Sequence, residues 1–451
     1  MKKLNFLATL LISVFSLQAV AQDVTYTHKR SGDGLSVNCS IESYSFTSTT
    51  YKGEEYKEVV IPGIYLPNDE GMPNLPIISK FIAVPQGAEV EITVKDCTSE
   101  IVKGINIAPA RKLEIENDEP NMDYIENEAV YSTNSNYPAN PFFTSEVFSL
   151  RGVDVVALSI TPFQWNPVTQ DLIVYTDVNI DIDFKGGSKN IGQEEYRSQY
   201  FDPIIKNVLL NHEDLPEVDY SSRYKRYYEQ RDELVGCEYL IVIPNREDFR
   251  PYAEQLKDLR IKQGIITEVM SLEEMGCTST NDMKAYFHNG YENWDIKLVA
   301  VLLMGDHNTN MSLGIPAEFT SHPYGQCITD NGYADVTGDN LPEIVFARMS
   351  AENEAQISTL VSKVLEYELQ PCMEEDYYHS PITALGWQTE RWFQICSEAI
   401  GGYFRNHGKE PVRVNAIYSG TPGSVWSTNQ NTSQVVSYFG PDGTGYIPAT
   451  P

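Results

Sequence analysis

Basic residues are scarce in this 451-residue chain, where 33 Lys and Arg stand against 63 Asp and Glu for a formal net charge of −30. Such a surface repels nucleic acid and anionic lipid, so no nucleic-acid partner is expected. It suits solubility and cation binding outside a cell. Cysteine is sparse too. Cys39, Cys97, Cys237, Cys277, Cys327, Cys372 and Cys396 form no C-x-x-C pair, which argues against a zinc or redox motif. Their odd count leaves at least one thiol without an intramolecular partner, and a buried inert thiol is the default for each. Low-complexity tracts are missing. Beyond residue 21 no apolar run approaches the ~20 residues of a membrane helix, so no transmembrane segment is expected.

What is present begins with a targeting signal over 1–21. Lys2 and Lys3 supply the positive start, Leu4 to Leu17 the short apolar run, and Ala19-Val20-Ala21 a small-residue cleavage site after Ala21. A secreted product follows from it. The length suggests two or three domains of roughly 100–200 residues. Residues 22–190 read as a β-rich domain, with strand patterns at Glu58 to Ile64, Phe81 to Val84, Glu89 to Val94, Val153 to Ile160 and Asp171 to Phe184. Glu114 to Glu128 is acidic and polar, which predicts an exposed loop. Residues 191–236 turn polar and Tyr-rich, which predicts a solvated linker. Within it, Ser221 to Tyr228 is a basic island in an acidic protein, the kind of exposed segment that proteases nick.

From Cys237 the pattern changes to α/β. Tyr239 to Pro244 and Leu298 to Met304 are continuous apolar strands, as in a sheet covered on both faces. Helical spacing follows at Phe249 to Leu259, with Gly264 as the stop, and again at Asn281 to Trp294 and Glu352 to Leu369. Further strands are predicted at Ile265 to Met270, Glu343 to Ala347, Ile382 to Gly386 and Val412 to Ile417, with a helix near Thr389 to Asn406. Asp330-Asn331-Gly332 suggests a hairpin turn. Strands alternating with helices imply a mostly parallel sheet, whose sites gather at the carboxyl ends of the strands.

The order of short motifs then resembles the gingipain family of cysteine endopeptidases. These are Val301-Leu302-Leu303-Met304-Gly305-Asp306, Tyr324-Gly325-Gln326, Gly338-Asp339-Asn340-Leu341-Pro342-Glu343-Ile344, Ala347-Arg348-Met349-Ser350 and Lys363-Val364-Leu365-Glu366-Tyr367-Glu368. Each is weak alone, and the series is specific. A β-rich propeptide behind a signal peptide fits the same family. The resemblance implies a propeptide domain over 22–190, a linker with a processing site over 191–236, and the first part of a caspase-like α/β peptidase domain over 237–451. Protein or peptide substrates and inhibition by the chain's own propeptide come with it. So does a His–Cys dyad, in which imidazole makes a thiol of pKa about 8.5 nucleophilic.

His407-Gly408 is the only His-Gly pair. It reads as a helix end, and no cysteine follows it, so the family order of His then Cys is not met within 451 residues. No catalytic residue is therefore assigned, the domain is expected to be truncated, and the chain to be inactive alone. The resemblance also implies a structural calcium held by Asp306, Thr337, Asp339, Leu341 (through its carbonyl) and Glu343. Thr337 stands where relatives often carry Asp, and Asp335 is the residue that would compensate. Oxygen donors of this kind suit calcium, although an acidic turn without an ion has the same composition. Processing is expected after Arg226, with Arg223 and Arg231 as alternatives. Glu390 is the one carboxylate in the segment matching the family's specificity region, where an acid at a helix N-terminus is the plainer reading. Two competing readings are a non-catalytic secreted, calcium-stabilised binding or inhibitor protein, and a relative of the type IX secretion signal peptidase.

Overall fold

The computed structural model describes residues 24–449 apart from 52, 63, 65, 112–124, 231–232, 323–324, 340, 387–391, 416–434, 437–438 and 441–442. The expected targeting segment, Ala21, Arg231, Glu390 and most of the expected 114–128 loop lie outside the described residues.

Eleven strands build the first unit among the described residues. They are β1 (Val24–Ser31), β2 (Gly34–Ile41), β3 (Ser45–Tyr51), β4 (Glu54–Val60), β5 (Ile78–Val84), β6 (Glu89–Lys103), β7 (Phe142–Thr144), β8 (Phe148–Leu150), β9 (Val153–Ile160), β10 (Phe163–Asn166) and β11 (Asp171–Lys185). One sheet runs β1-β2-β11-β10 with β6 on β11, a second runs β5-β9-β7 with β8 on β9, and β3-β4 is a hairpin. All pairs within them are antiparallel. The two larger sheets pack together through Leu35, Val37, Val178, Ile180 and Ile182 on one side and Ile82, Val156, Leu158 and Ile160 on the other. Alternation along each strand explains this, since every second residue faces the partner sheet.

β9 is buried on both faces. Its second face, with Val153 and Val155, is covered by Phe201, Ile205, Leu209 and Leu215. The segment expected as a solvated linker is thus a packed cover. It forms α1 (Asp202–Val208) over the β5-β9 sheet and α2 (Tyr220–Glu229), whose Tyr227 is buried in the core of the α/β unit. The run of Val153 to Ile160, apolar except for Asp154 and Ser159, demanded such a cover.

The second unit centres on β12 (Tyr239–Ile243), β13 (Thr267–Ser271), β14 (Ala300–Met304) and β17 (Val345–Met349), in the order β13-β12-β14-β17 with every pair parallel. Leu240 and Val242 point to one layer, with Met283 and Phe287 of α4 (Thr280–Glu292). Ile241 and Ile243 point to the other, with Ala253 and Leu256 of α3 (Arg250–Lys262) and Ile357 and Val361 of α6 (Glu354–Leu369). Ser279 and Asn353 cap two of these helices by accepting from the backbone N–H groups of Asp282 and Gln356. Gly264, at φ 86°, ends the first, as expected.

The hairpin expectation is corrected. The antiparallel pair is β15 (Glu318–His322) with β16 (Gly325–Thr329), and Asn331–Ala334 is a single helical turn, α5. A left-handed Asn-Gly turn is not formed there, because Tyr333 and Ala334 are drawn into the core. Beyond the sheet, β18 (Ile382–Leu385) and β19 (Val412–Asn415) pair in parallel around α7 (Trp392–Asn406). No helix among the described residues is long and apolar enough to cross a membrane.

Candidate functional site

The carboxyl edge of the parallel sheet is organised by one arginine. Arg348, on β17, sends Nε and Nη2 to the two carboxylate oxygens of Asp330 at 2.9 and 2.7 Å. Its Nη1 donates to the carbonyls of Gly305 and Ile315 at 3.0 and 2.9 Å. These bonds tie together the end of β14, the loop after it and β17, alongside the Asp306 N–H donating to the Ala351 carbonyl at 3.0 Å. Asp306 and His307 stand on that loop. The Asp306 carboxylate accepts from the His307 backbone N–H at 2.8 Å, and His307 Nδ1 accepts from the Ala317 N–H at 3.0 Å. That bond leaves Nε2 as the protonated ring nitrogen. His307 was not singled out from the sequence, although a polar residue just past a buried strand was the available signal. Thr280, Thr309, Pro316, Ala317, Glu318 and Phe319 line an open cavity beside this loop.

The residues expected to hold calcium stand in two places, set by the direction of the strands. β14 and β17 are parallel, with Ala300 beside Val345 and Met304 beside Met349. Asp306 follows one strand and Glu343 precedes the other, so they lie at opposite edges, on the order of 20 Å apart at about 3.3 Å per residue. Asp335, Thr337, Asp339, Leu341 and Glu343 share one turn at the amino edge. The three carboxylates are turned onto local amides there, and the Thr337 hydroxyl donates to Glu343 at 3.4 Å. Glu343 accepts from the Val336 and Thr337 N–H groups at 2.8 and 3.3 Å, Asp335 from Gly338 at 2.7 Å, and Asp339 from Leu341 at 2.9 Å. Among the described residues no three acidic, His or Cys side chains converge as a metal-holding group. Asp306 therefore stands apart from Thr337, Asp339, Leu341 and Glu343. Glu343 is fully buried, and burial, with the charges of Asp339 and Asp335, holds its pKa above the usual carboxyl range.

His407 sits past the end of α7, its ring 4.2 Å from that of Tyr403 and its Nδ1 donating to the Tyr403 carbonyl at 2.8 Å. Gly408 follows at φ 73°, so the helix-end reading holds. All seven cysteines are free thiols. Burial pushes Cys39 and Cys277 up to about 11, and Cys237 higher still, away from nucleophilic thiolate.

Arg226 is exposed on α2, its Nε donating to Gln230 at 3.1 Å, while the adjoining Tyr227 is 6% exposed. Arg223, one turn earlier, donates to the carbonyls of Arg197 and Glu194. A propeptide model of peptidase family C25 matches residues 23–218, and the model of peptidase family C25 itself matches 233–442. The chain belongs to the gingipain family. Gingipain R1 of Porphyromonas gingivalis is 26% identical over 347 residues, which covers 76% of this chain and 32% of that one. Lys-gingipain of the same organism is 24% identical over 391 residues, 83% of this chain and 22% of that one. This chain thus spans about a third or less of the length of those two relatives. Among solved structures, the complex of Porphyromonas gingivalis RgpB pro- and mature domains aligns with 42% of this chain and 98% of that chain, at 23% identity and a TM-score of 0.37. The interval between the two matched regions of this gingipain-family chain is residues 219–232, and α2 fills most of it.

Proposed function

We propose that this chain supplies the propeptide and the first part of the peptidase domain of a secreted gingipain-like cysteine endopeptidase zymogen. Peptide bonds of protein substrates are its targets, and a His–Cys dyad outside the residues assigned here does the chemistry. The observation that carries this reading is the succession of a propeptide match and a peptidase match on one chain, separated by a basic helix. The 451 residues alone are expected not to cleave casein, and thiol-blockable casein hydrolysis by the purified chain would contradict that.

Maturation is placed after Arg226. A protease binds its substrate extended, so the bond between Arg226 and Tyr227 becomes cleavable only when the last turns of α2 open and Tyr227 leaves the core. In this reading the helix is a brake on activation. The mature N-terminus is expected at Tyr227 by terminal sequencing, and a start inside the β-rich unit would refute the assignment.

Calcium is narrowed to the 335–343 turn, without Asp306. Folding raises the Glu343 pKa, so the folded chain holds that proton to higher pH than the unfolded chain. The stability linked to this group is greatest below about pH 4.3 and falls as pH climbs from there to the raised value. A divalent cation at the turn would reverse that penalty. Millimolar calcium is expected to raise the melting temperature at pH 7. Glu343→Gln is expected to flatten the pH dependence and abolish the calcium response. A wild-type melting temperature indifferent to calcium removes the ion from the account.

A further inference from the structure

Arg151 occupies the tight turn between β8 and β9, at φ 47° and followed by Gly152 at φ 74°. Its side chain leaves the pro-domain and enters the α/β unit, where Nη1 donates to the carbonyls of Leu298 at 3.2 Å and Glu343 at 2.7 Å. The guanidinium lies 5.5 Å from the Phe201 ring and 5.4 Å from the Tyr291 ring. It is fully buried, and Nε and Nη2 have no hydrogen-bond partner among the described residues. Those two nitrogens form the side-on fork that takes a carboxylate through two parallel hydrogen bonds. A buried cation whose fork is unpaired carries a desolvation penalty that an anion would offset. Burial accordingly lowers the Arg151 pKa to about 10.

Arg151 lines a cavity of about 300 Å³ between the β8-β9 turn, the 191–236 segment and the α/β unit. Arg223, Arg226 and Lys297 line it as well. The acids around it are placed as follows. Glu238 accepts from the Tyr224 hydroxyl and the Ile266 N–H, Asp295 accepts from the Val235 N–H, and Glu194 and Glu195 are exposed. Arg197, which also lines it, is paired with Asp202.

We propose that this cavity is a carboxylate site whose receptor is the Nε and Nη2 fork of Arg151, and that after processing it receives the α-carboxylate of Arg226. The second part rests on the cleavage proposed above. Hydrolysis adds water across the Arg226–Tyr227 amide. The C–N bond breaks, a C–O bond forms, and the departing nitrogen leaves as the amine of Tyr227. The acyl half becomes a carboxylate on a residue that already borders the cavity. Docked on Arg151, it would hold the severed propeptide against the peptidase unit and prolong inhibition after the cut.

The test uses the full chain, titrated with sodium formate against sodium chloride at constant ionic strength and followed by melting temperature. Wild type is expected to show a saturable rise with formate. Arg151→Lys keeps a cation but loses the fork, so its formate affinity is expected to fall about tenfold or more. Lys297→Met leaves Arg151 in place and is expected to weaken binding a few-fold through lost charge. Circular dichroism separates a binding defect from a folding defect. A wild-type response no larger than that of Arg151→Lys, with both folded, overturns the site. A second arm nicks the chain after Arg226, with the cut verified by mass. The nicked protein is expected to stay associated on gel filtration and to ignore formate. A full formate response after nicking overturns the terminal carboxylate as occupant and assigns the site to free small carboxylates. A maturation cut elsewhere defeats the processing assignment, and the first arm still decides the site.

Discussion

Arg348→Ala is expected to cost about 3–5 kcal/mol of stability, because it removes one partner of a largely buried pair and leaves the other uncompensated. The Arg348 side chain is 9% exposed and that of Asp330 is 22% exposed. The loss is more than one ion pair, since the carbonyls of Gly305 and Ile315 lose their shared donor at the same time. Lysine at this position keeps the charge and cannot reproduce the planar fork, so Arg348→Lys is expected to recover only a minor part. Asp330→Asn keeps one acceptor and is expected to lie between wild type and alanine. Urea unfolding of the four proteins measures the order. A loss below about 1 kcal/mol for Arg348→Ala would make this an ordinary surface pair and refute its organising role. The same bonds hold the loop that carries Asp306 and His307 at the carboxyl edge of the sheet.

Asp202→Ala is expected to have an effect of the same size, about 3–5 kcal/mol, with a different readout. The Arg197 side chain is 2% exposed and that of Asp202 is 9% exposed, and two nitrogens meet two oxygens at 2.6 and 2.7 Å. The Tyr220 hydroxyl adds a third bond to the same carboxylate at 2.8 Å. Tyr220 is the first residue of α2, so this cluster fastens the start of the helix that carries Arg226. Removing the carboxylate strands a buried guanidinium and frees the helix. Trypsin nicking at Arg223 or Arg226 is expected to accelerate at least about tenfold, since cleavage follows the population of the opened segment. Asp202→Asn retains an acceptor and is expected to nick more slowly than the alanine variant. Equal nicking rates in wild type and Asp202→Ala would show that α2 opens independently of its start.

The two variants differ in how visible they were. Arg348 lies in a motif that marked the family, yet its geometric job required the loop from Gly305 to Asp330 to fold back on it. Arg197 and Asp202 are five residues apart in a segment that reads as a polar linker. A charged side chain counts as polar in any pattern, and only burial turns it into a structural element. The β strands and the alternating helices were legible because period-2 and helical patterns repeat over many residues. The Asn331-Gly332 turn was not, since local turn preference yielded to burial of Tyr333.

By itself the sequence determined a β-rich unit followed by an α/β unit, the family, and the parallel sheet, because patterning and ordered motifs are local properties. Tertiary structure alone decided which motifs meet. Parallel strands place the end of one and the start of the next at opposite edges, so Asp306 and Glu343, 37 residues apart in the chain, stand at opposite edges of the sheet. The same folding brought Arg151 of the pro-domain onto the carbonyls of Leu298 and Glu343, a contact between residues 147 and 192 positions apart that no local pattern encodes.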